Sequence, residues 1–295
     1  MSDLSLFIMQ ILNGVSIGSI YALIALGYTM VYGIAKLINF AHGDIIMVGA
    51  YTAYVSISIL HFPIWASIII SILVCSILGL LIEKIAYRPL RNASRITLLI
   101  TAIGVSYFLQ SFFRLIFTSN PISFPKIIDL PTLSIGGIGL SANYYITFGI
   151  SVIIMIILER FIKGSKTGRA MRACSEDAGA AKLMGINVDR TISITFAIGS
   201  SLAAVAGILY VASYPVITPY LGALPGIKAF IAAVLGGIGN IRGAVLGGFI
   251  LGMVEAITKA YISSQLSDAF VFVILIVMLV FKPAGLLGEN RKEKV

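Results

Sequence analysis

Three constellations of polar or glycine-rich residues stand out in a chain otherwise poor in groups that could do chemistry. The first is Asn39-Phe40-Ala41-His42-Gly43-Asp44, an amide, an imidazole and a carboxylate at the edge of an apolar stretch. Asn39 can cap a helix, and burial of His42 and Asp44 would demand partners; the plainer reading is an interfacial cap with wet side chains. The second is Leu235-Gly236-Gly237-Ile238-Gly239-Asn240-Ile241-Arg242-Gly243-Ala244, followed by Gly247, Gly248 and Gly252. Its glycines make a continuous straight helix costly, so the chain should break here and resume at Ala244. The small residues from Gly243 to Gly252 also let another helix approach closely, so packing alone would account for them.

The third constellation runs from Gly168 to Asn187 and contains Arg172, Glu176, Asp177, Ala180, Ala181 and Gly185. Ser175 followed by Glu176 and Asp177 supplies a cap and first-turn acids for a short helix reaching Leu183 or Met184, which Gly185 ends. Ala178, Ala181 and Leu183 give that helix small and apolar contacts, while Arg172 and Lys182 stay in water. Such a helix can sit in a groove of a soluble protein and pass a displacement to its flanking segments.

None of this is covalent chemistry. His42 and His61 are the only histidines, and no nucleophile stands at a useful spacing from a base. Cys75 and Cys174 read as unpaired thiols, without the further ligands that zinc requires. The acids in apolar surroundings are chiefly Asp44, Glu83 and Glu255, and Glu255 can pair with Lys259 one helical turn on. The Gly-x4-Gly-Lys-Ser/Thr phosphate-binding pattern is not in the sequence. No catalytic residue, metal ligand or cofactor is expected in this chain.

The elements that must position these residues are membrane helices. Of the 295 residues, 59% are hydrophobic and only 11% charged, and mean hydropathy is +1.03, well beyond the roughly 45–50% apolar content of soluble domains. Charge-free windows such as Leu4–Ala35, Ile45–Ile82 and Thr191–Ile227 exceed the ~20 residues that cross a bilayer as a helix. The alternating ten-residue pattern of a transmembrane barrel is not visible. Spans are predicted near 6–33, 38–60, 64–86, 96–117, 143–162, 191–213, 226–240, 243–262 and 267–282, all in one domain over 1–295. The first is a retained span, since Asp3 is the only charge before Lys36.

Basic residues cluster at Lys84, Arg88, Arg91 and Arg95, between Arg160 and Arg190, and at Lys282, Arg291, Lys292 and Lys294. The positive-inside rule puts these in the cytoplasm. The connections at His61-Phe62-Pro63, 118–143 and 213–225 carry few charges and belong outside. Nine crossings satisfy this only if 226–240 crosses; if it is re-entrant, the count is eight. The net charge of +9 suits anionic lipid better than nucleic acid, because the basic residues sit at the membrane boundary. The turn-rich outer segment Asn120–Pro125 is either a landing surface for a partner or a passive connector. The first two constellations share a plan, an interruption followed by a small-residue span, that matches the paired broken helices of transporter repeats.

Taken together the chain resembles the LivH-type permeases of bacterial branched-chain amino-acid ABC transporters. The resemblance rests on Asn13-Gly14 through Tyr21-Ala22-Leu23, Gly27 with Tyr32-Gly33, Ile38 to Asp44, Arg169 to Asp189-Arg190, Gly236 to Gly252 and Lys282-Pro283-Ala284-Gly285-Leu286-Leu287-Gly288. It implies an all-α polytopic membrane protein with eight or nine transmembrane helices, some broken, in an ABC-importer permease architecture of the bacterial inner membrane. It also implies a second, LivM-like permease, two cytoplasmic ATPase subunits that bind ATP and Mg, and a periplasmic or lipid-anchored binding protein. ABC permeases carry a Glu-Ala-Ala-x3-Gly coupling signature, which Gly179-Ala180-Ala181-Lys182-Leu183-Met184-Gly185 matches except for Gly179 at the glutamate position. Glu176 lies one turn earlier and can substitute, so the coupling segment is placed within 163–190.

The implied function is uptake of Leu, Ile and Val by alternating access. The pathway candidates are Asn39, His42, Asp44, Gly236, Gly237, Gly239, Asn240 and Arg242. An apolar path equally suits a LivH-like permease for urea, short amides or other amino acids. A secondary transporter or channel without ATPases would instead show ionisable residues on a mid-depth pathway.

Overall fold

Without water to satisfy the main chain, apolar windows of this length close their hydrogen bonds within themselves and become helices. The computed structural model, which describes residues 3–91, 93–128, 130–135 and 138–288, has eleven α-helices. These are α1 (Asp3–Ala35), α2 (His42–Tyr54, extended by a π-turn to Ile59), α3 (Ile64–Ile82, extended to Leu90), α4 (Arg95–Phe117), α5 (Ala142–Gly164), α6 (Lys166–Glu176), α7 (Ala178–Leu183), α8 (Val188–Ser213), α9 (Ala223–Gly236), α10 (Ile241–Tyr261) and α11 (Ser267–Phe281). Six helices are long and apolar enough to cross a membrane; α9 and α11 are shorter apolar helices. The chain is a multi-pass, all-α membrane protein with broken helices. Arg291, Lys292 and Lys294 of the basic tail, and Gly136 and Gly137, lie outside the described residues.

Helices α1, α2, α8, α9 and α10 carry most of the core, whereas α4 buries only Ala102 and Leu109. The close approach foreseen for Gly243–Gly252 is made on both sides of α10. Gly248 and Gly252 meet Ala22 and Gly18 of α1, and Gly243 and Gly247 meet Gly236 and Ala232 of α9. A side chain at these positions would collide with main chain, so small residues fix the spacing of three helices.

Cross-helix bonds give the depth of each element. Cys75, midway along α3, lies against the Ile45 carbonyl (3.6 Å), and Ser71 bonds that of Gly49 (2.8 Å). The first turn of α2 therefore lies about halfway across. The chain leaves α1 at Ala35 and climbs as non-helical chain through 36–41 before α2 begins. The expected span 38–60 thus starts four residues later, at His42.

The second interruption mirrors the first in sense. After α8, strand Val216–Ile217 pairs antiparallel with Ile122–Ser123, tying two connections on one face. The chain then descends to Gly222, whose backbone touches Gly43. The connection 213–225, expected wholly outside, is therefore half inside the protein. Helix α9 runs from that depth to the opposite face, where Gly239 approaches Gly33 near the end of α1. The 213–240 stretch crosses as half loop, half helix, which supports nine crossings.

At the end of α9 the chain breaks where the glycines predict, but helix resumes at Ile241 rather than Ala244. Asn240 is the reason: its Oδ1 accepts from Gly243 N (3.0 Å), capping α10 early, while its Nδ2 donates to Leu287 O (2.8 Å). Gly237 supplies the left-handed turn, with φ of 106°. The C-terminal segment folds back over this break. Leu286 N and Leu287 N donate to the Leu235 and Gly236 carbonyls (2.8 and 2.9 Å), which α9 itself leaves open. Two motifs that are far apart in sequence thus form one clasp.

A buried charge cluster ties α1, α9, α10 and α11 together. Glu255, 2% exposed, accepts from Lys228 (2.9 Å), Lys259 and Tyr21 (2.7 Å), and Lys228 also reaches Asp268 (2.6 Å).

Three substitutions test these contacts in detergent, read from thermal unfolding midpoints. Gly285→Val should lower stability by roughly 1–3 kcal/mol from backbone strain alone, because Gly285 has φ of 84° and packs against Gly237. Leu286→Ala, which keeps both donors, should cost less. Glu255→Leu should cost about 3–5 kcal/mol, since it strands buried Lys228 and the Tyr21 hydroxyl.

Candidate functional site

The basic face carries the segment 163–190. Ser165 accepts from Gly168 N (2.8 Å) to cap α6, which buries Gly168, Met171 and Cys174 against the body of the protein. Arg172 is exposed and donates to Lys163 O (3.1 Å). Burial pushes the Cys174 thiol pKa up, partly offset by Thr191, so this free thiol is not poised for chemistry.

The expected single helix from Ser175 is in fact two. Ser175 lies in the last turn of α6 with its hydroxyl on Arg172 O (2.7 Å), and Glu176 closes that helix. Asp177, with extended φ and ψ, is the cap of α7 and accepts from Ala180 N (3.0 Å). The carboxylate wins over the Ser175 hydroxyl because the backbone turns at Asp177, and only a residue at that corner can reach the free N–H groups ahead.

Helix α7 ends as expected at Gly185, whose φ of 83° lets Gly185 N bond Lys182 O and Ile186 N bond Ala181 O, each 3.0 Å. Ala181 is buried and Ile186 packs on the core. Leu183, expected to make inward contacts, is 89% exposed, and Met184 is 83% exposed. With only six residues, α7 has a single inward position at Ala181, and the next turn faces outward.

From α7 the chain passes directly into α8. Asn187 caps it by accepting from Arg190 N (2.9 Å). Asp189 then pairs with Arg88 (2.8 Å) and Arg91, and Arg91 bridges to buried Glu83, which accepts from Ser193 (2.7 Å). Helix α7 is therefore linked, through Asn187 and Asp189, to the ends of both α3 and α8.

At mid-depth the first constellation is buried rather than wet. Asn39 does not cap α2; its Oδ1 accepts from Ala41 N (3.1 Å) and Tyr87 OH (2.8 Å). His42 is buried with its ring against Gly27 and beside Tyr28, at 4.7 Å between ring centroids. Asp44, 2% exposed, accepts from Gln110 of α4 (2.8 Å). A cavity of about 140 Å³ opens between Tyr28, Phe40, Gly43, Asp44, Ser106, Gln110, Gly222, Ala223, Gly226 and Ile227.

The structure does not bring the two pathway constellations into one site. Gly236, Gly237, Gly239 and Asn240 sit at the basic face under the C-terminal clasp, and Arg242 pairs there with Glu159 (3.0 Å). What meets Asp44 instead is Gly222–Gly226 and Gln110, and Lys228 and Asp268 likewise complete the cluster around Glu255. Lone polar residues in apolar runs were the available signal for Gln110 and Lys228; for Gly222 there was none, since its contact is purely tertiary.

Comparison with known proteins matches this architecture. The family model for the permease component of branched-chain amino-acid transport systems covers residues 10–279. The high-affinity branched-chain amino-acid permease LivH of Escherichia coli K12 is 44% identical over 98% of each chain, as is LivH of Salmonella typhimurium. BraD of Pseudomonas aeruginosa is 44% identical over the whole of both chains. No solved structure matches. With a helical membrane body, broken helices and full-length similarity in agreement, this chain belongs to the branched-chain amino-acid transport permease family.

Proposed function

We propose that this chain is one of two permease subunits of a bacterial inner-membrane ABC importer and carries leucine, isoleucine and valine inward. A second, LivM-like permease completes the membrane unit. Two cytoplasmic ATPases supply ATP and Mg, and a periplasmic or lipid-anchored binding protein delivers the amino acid. The basic face, with the C-terminal segment, is cytoplasmic. The chain itself moves solute and makes no covalent bond.

The observation that carries this reading is α7: a short helix, closed at both ends by its own residues, with Leu183 and Met184 exposed on the basic face. Apolar side chains so placed suit a groove in a soluble partner. The run Asp177, Ala180, Ala181, Gly185 supplies the cap, the frame and the stop, while Arg172 and Glu176 flank it. ATP-driven closure of the partners displaces α7, and the Asn187 and Asp189 contacts convey that shift to α8 and α3. Only such differential contacts in two states can move the equilibrium between inward and outward access.

Reconstituted proteoliposomes with the co-permease, ATPases and binding protein test the reading directly. Labelled leucine uptake that vanishes without ATP is the expected result. Uptake of urea alone would replace the substrate, and ATP-independent flux through this chain by itself would replace the mechanism.

The coupling role has its own test. Gly185→Pro forces φ to about −65° where the chain needs 83° and removes the donor to Lys182 O. Ala181→Trp overfills a buried position. Both variants should insert normally and retain ATP hydrolysis, yet lose about tenfold or more of uptake, equivalent to at least ~1.4 kcal/mol of coupling. Wild-type uptake by both would remove α7 from this role.

A further inference from the structure

We propose that the mid-depth cavity at Asp44 is a binding station for a zwitterionic α-amino acid, with Asp44 as its ammonium acceptor. The proposal rests on the import reading above and specifies where in this subunit the solute is held.

The cavity has the composition of a small-solute site rather than of a packing defect. Its volume of about 140 Å³ is roughly ten times the ~10–15 Å³ that one water needs. Its lining is aromatic and aliphatic in part, from Tyr28, Phe40 and Ile227, and polar in part, from Asp44, Ser106 and Gln110. That is the division a leucine-like zwitterion requires, and a few convergent polar groups in an apolar pocket are the usual form of a ligand site.

Charge makes the assignment more specific. The carboxylate of Glu255, buried to the same degree, is met by two lysines, and that of Glu83 by Arg91. Asp44 has no cationic partner among the described residues; its side chain is held by Gln110, at 2.8 Å. A buried carboxylate without a counter-charge carries a large desolvation cost, which a passing ammonium group would relieve. The first turns of α2 and α9 both border the cavity through Gly43, Asp44, Ala223 and Gly226. Their N-terminal dipole ends favour negative charge. Asp44 occupies that of α2, leaving the N-terminus of α9 to face the solute's carboxylate.

Cavities that share lining residues lead from the station towards the basic face. Tyr28 also lines a constriction of about 10 Å³ with Tyr32, Ile38 and Phe230. Tyr32 and Ile38 in turn line a cavity of about 370 Å³ with Lys36 and Arg95 at the basic face. Tyr28 and Phe230 meet edge to face at the constriction, at 5.8 Å between ring centroids.

The test uses the complete reconstituted transporter, with leucine uptake and ATP hydrolysis measured together for wild type, Asp44→Asn and Asp44→Glu. Asp44→Asn should lose about tenfold or more of uptake with hydrolysis retained, and Asp44→Glu should recover part of it. Hydrolysis with unimpaired uptake in Asp44→Asn would overturn the station. If Asp44→Asn does not assemble, Ser106→Cys decides: leucine during turnover should slow its modification by a small thiol reagent about threefold or more, and an unchanged rate would overturn the proposal. Failure of the wild type to carry leucine would instead overturn the substrate reading, a separate result from indifference to Asp44→Asn.

Discussion

Inside a bilayer every main-chain donor and acceptor has to be satisfied within the protein, and this chain interrupts its helices twice in that setting. Both interruptions are tolerated because they are enclosed. The first turns of α2 and α9 meet at half depth with Gly43 against Gly222 and Gly226, so closely that no side chain fits between them. Around this contact α1, α8 and α10 form a nearly continuous wall of small and aliphatic residues. Two further helices are placed by it: α3 through bonds to Ile45 and Gly49, and α4 through Gln110 on Asp44.

A further break, at the end of α9, is satisfied from a distance. The carbonyls that α9 leaves open at Leu235 and Gly236 accept from Leu286 and Leu287, and Asn240 returns a bond to Leu287. The residues after α11 therefore act as the cap that α9 lacks, and the glycines at 237 and 285 are small because these two turns press together. This clasp lies on the same face as the α6–α7 segment. The Asp189 ion pairs to Arg88 and Arg91 and the closed end of α9 thus share one side of the membrane body.

Charge is distributed by the same logic. Glu255 and Glu83 are buried in complete networks, with Lys228, Lys259 and Tyr21 around one and Arg91 and Ser193 around the other. Such networks lock neighbouring helices together, since removing one member strands the rest. Asp44 differs in being held by a neutral amide beside a cavity. Among the described residues it has no cationic partner.

Although α6 and the enclosed stretch before α9 are not foreseen, the helical membrane body, most limits of the long spans and the breaks before α2 and after α9 are legible in the sequence alone. These follow from local physics: apolar length, glycine's backbone freedom and capping side chains act within a few residues. The sequence also locates α7, although the pattern points to Ser175 as the cap that Asp177 in fact provides, because the choice between nearby capping residues depends on where the backbone turns. Long-range packing alone sets that Asn39 bonds Tyr87, that His42 and Asp44 lie at mid-depth rather than in water, and that Gly222 rather than Gly236 is their neighbour. Depth is set by what a helix packs against. No local pattern reports that an extended stretch has carried the next helix halfway across the protein before it starts.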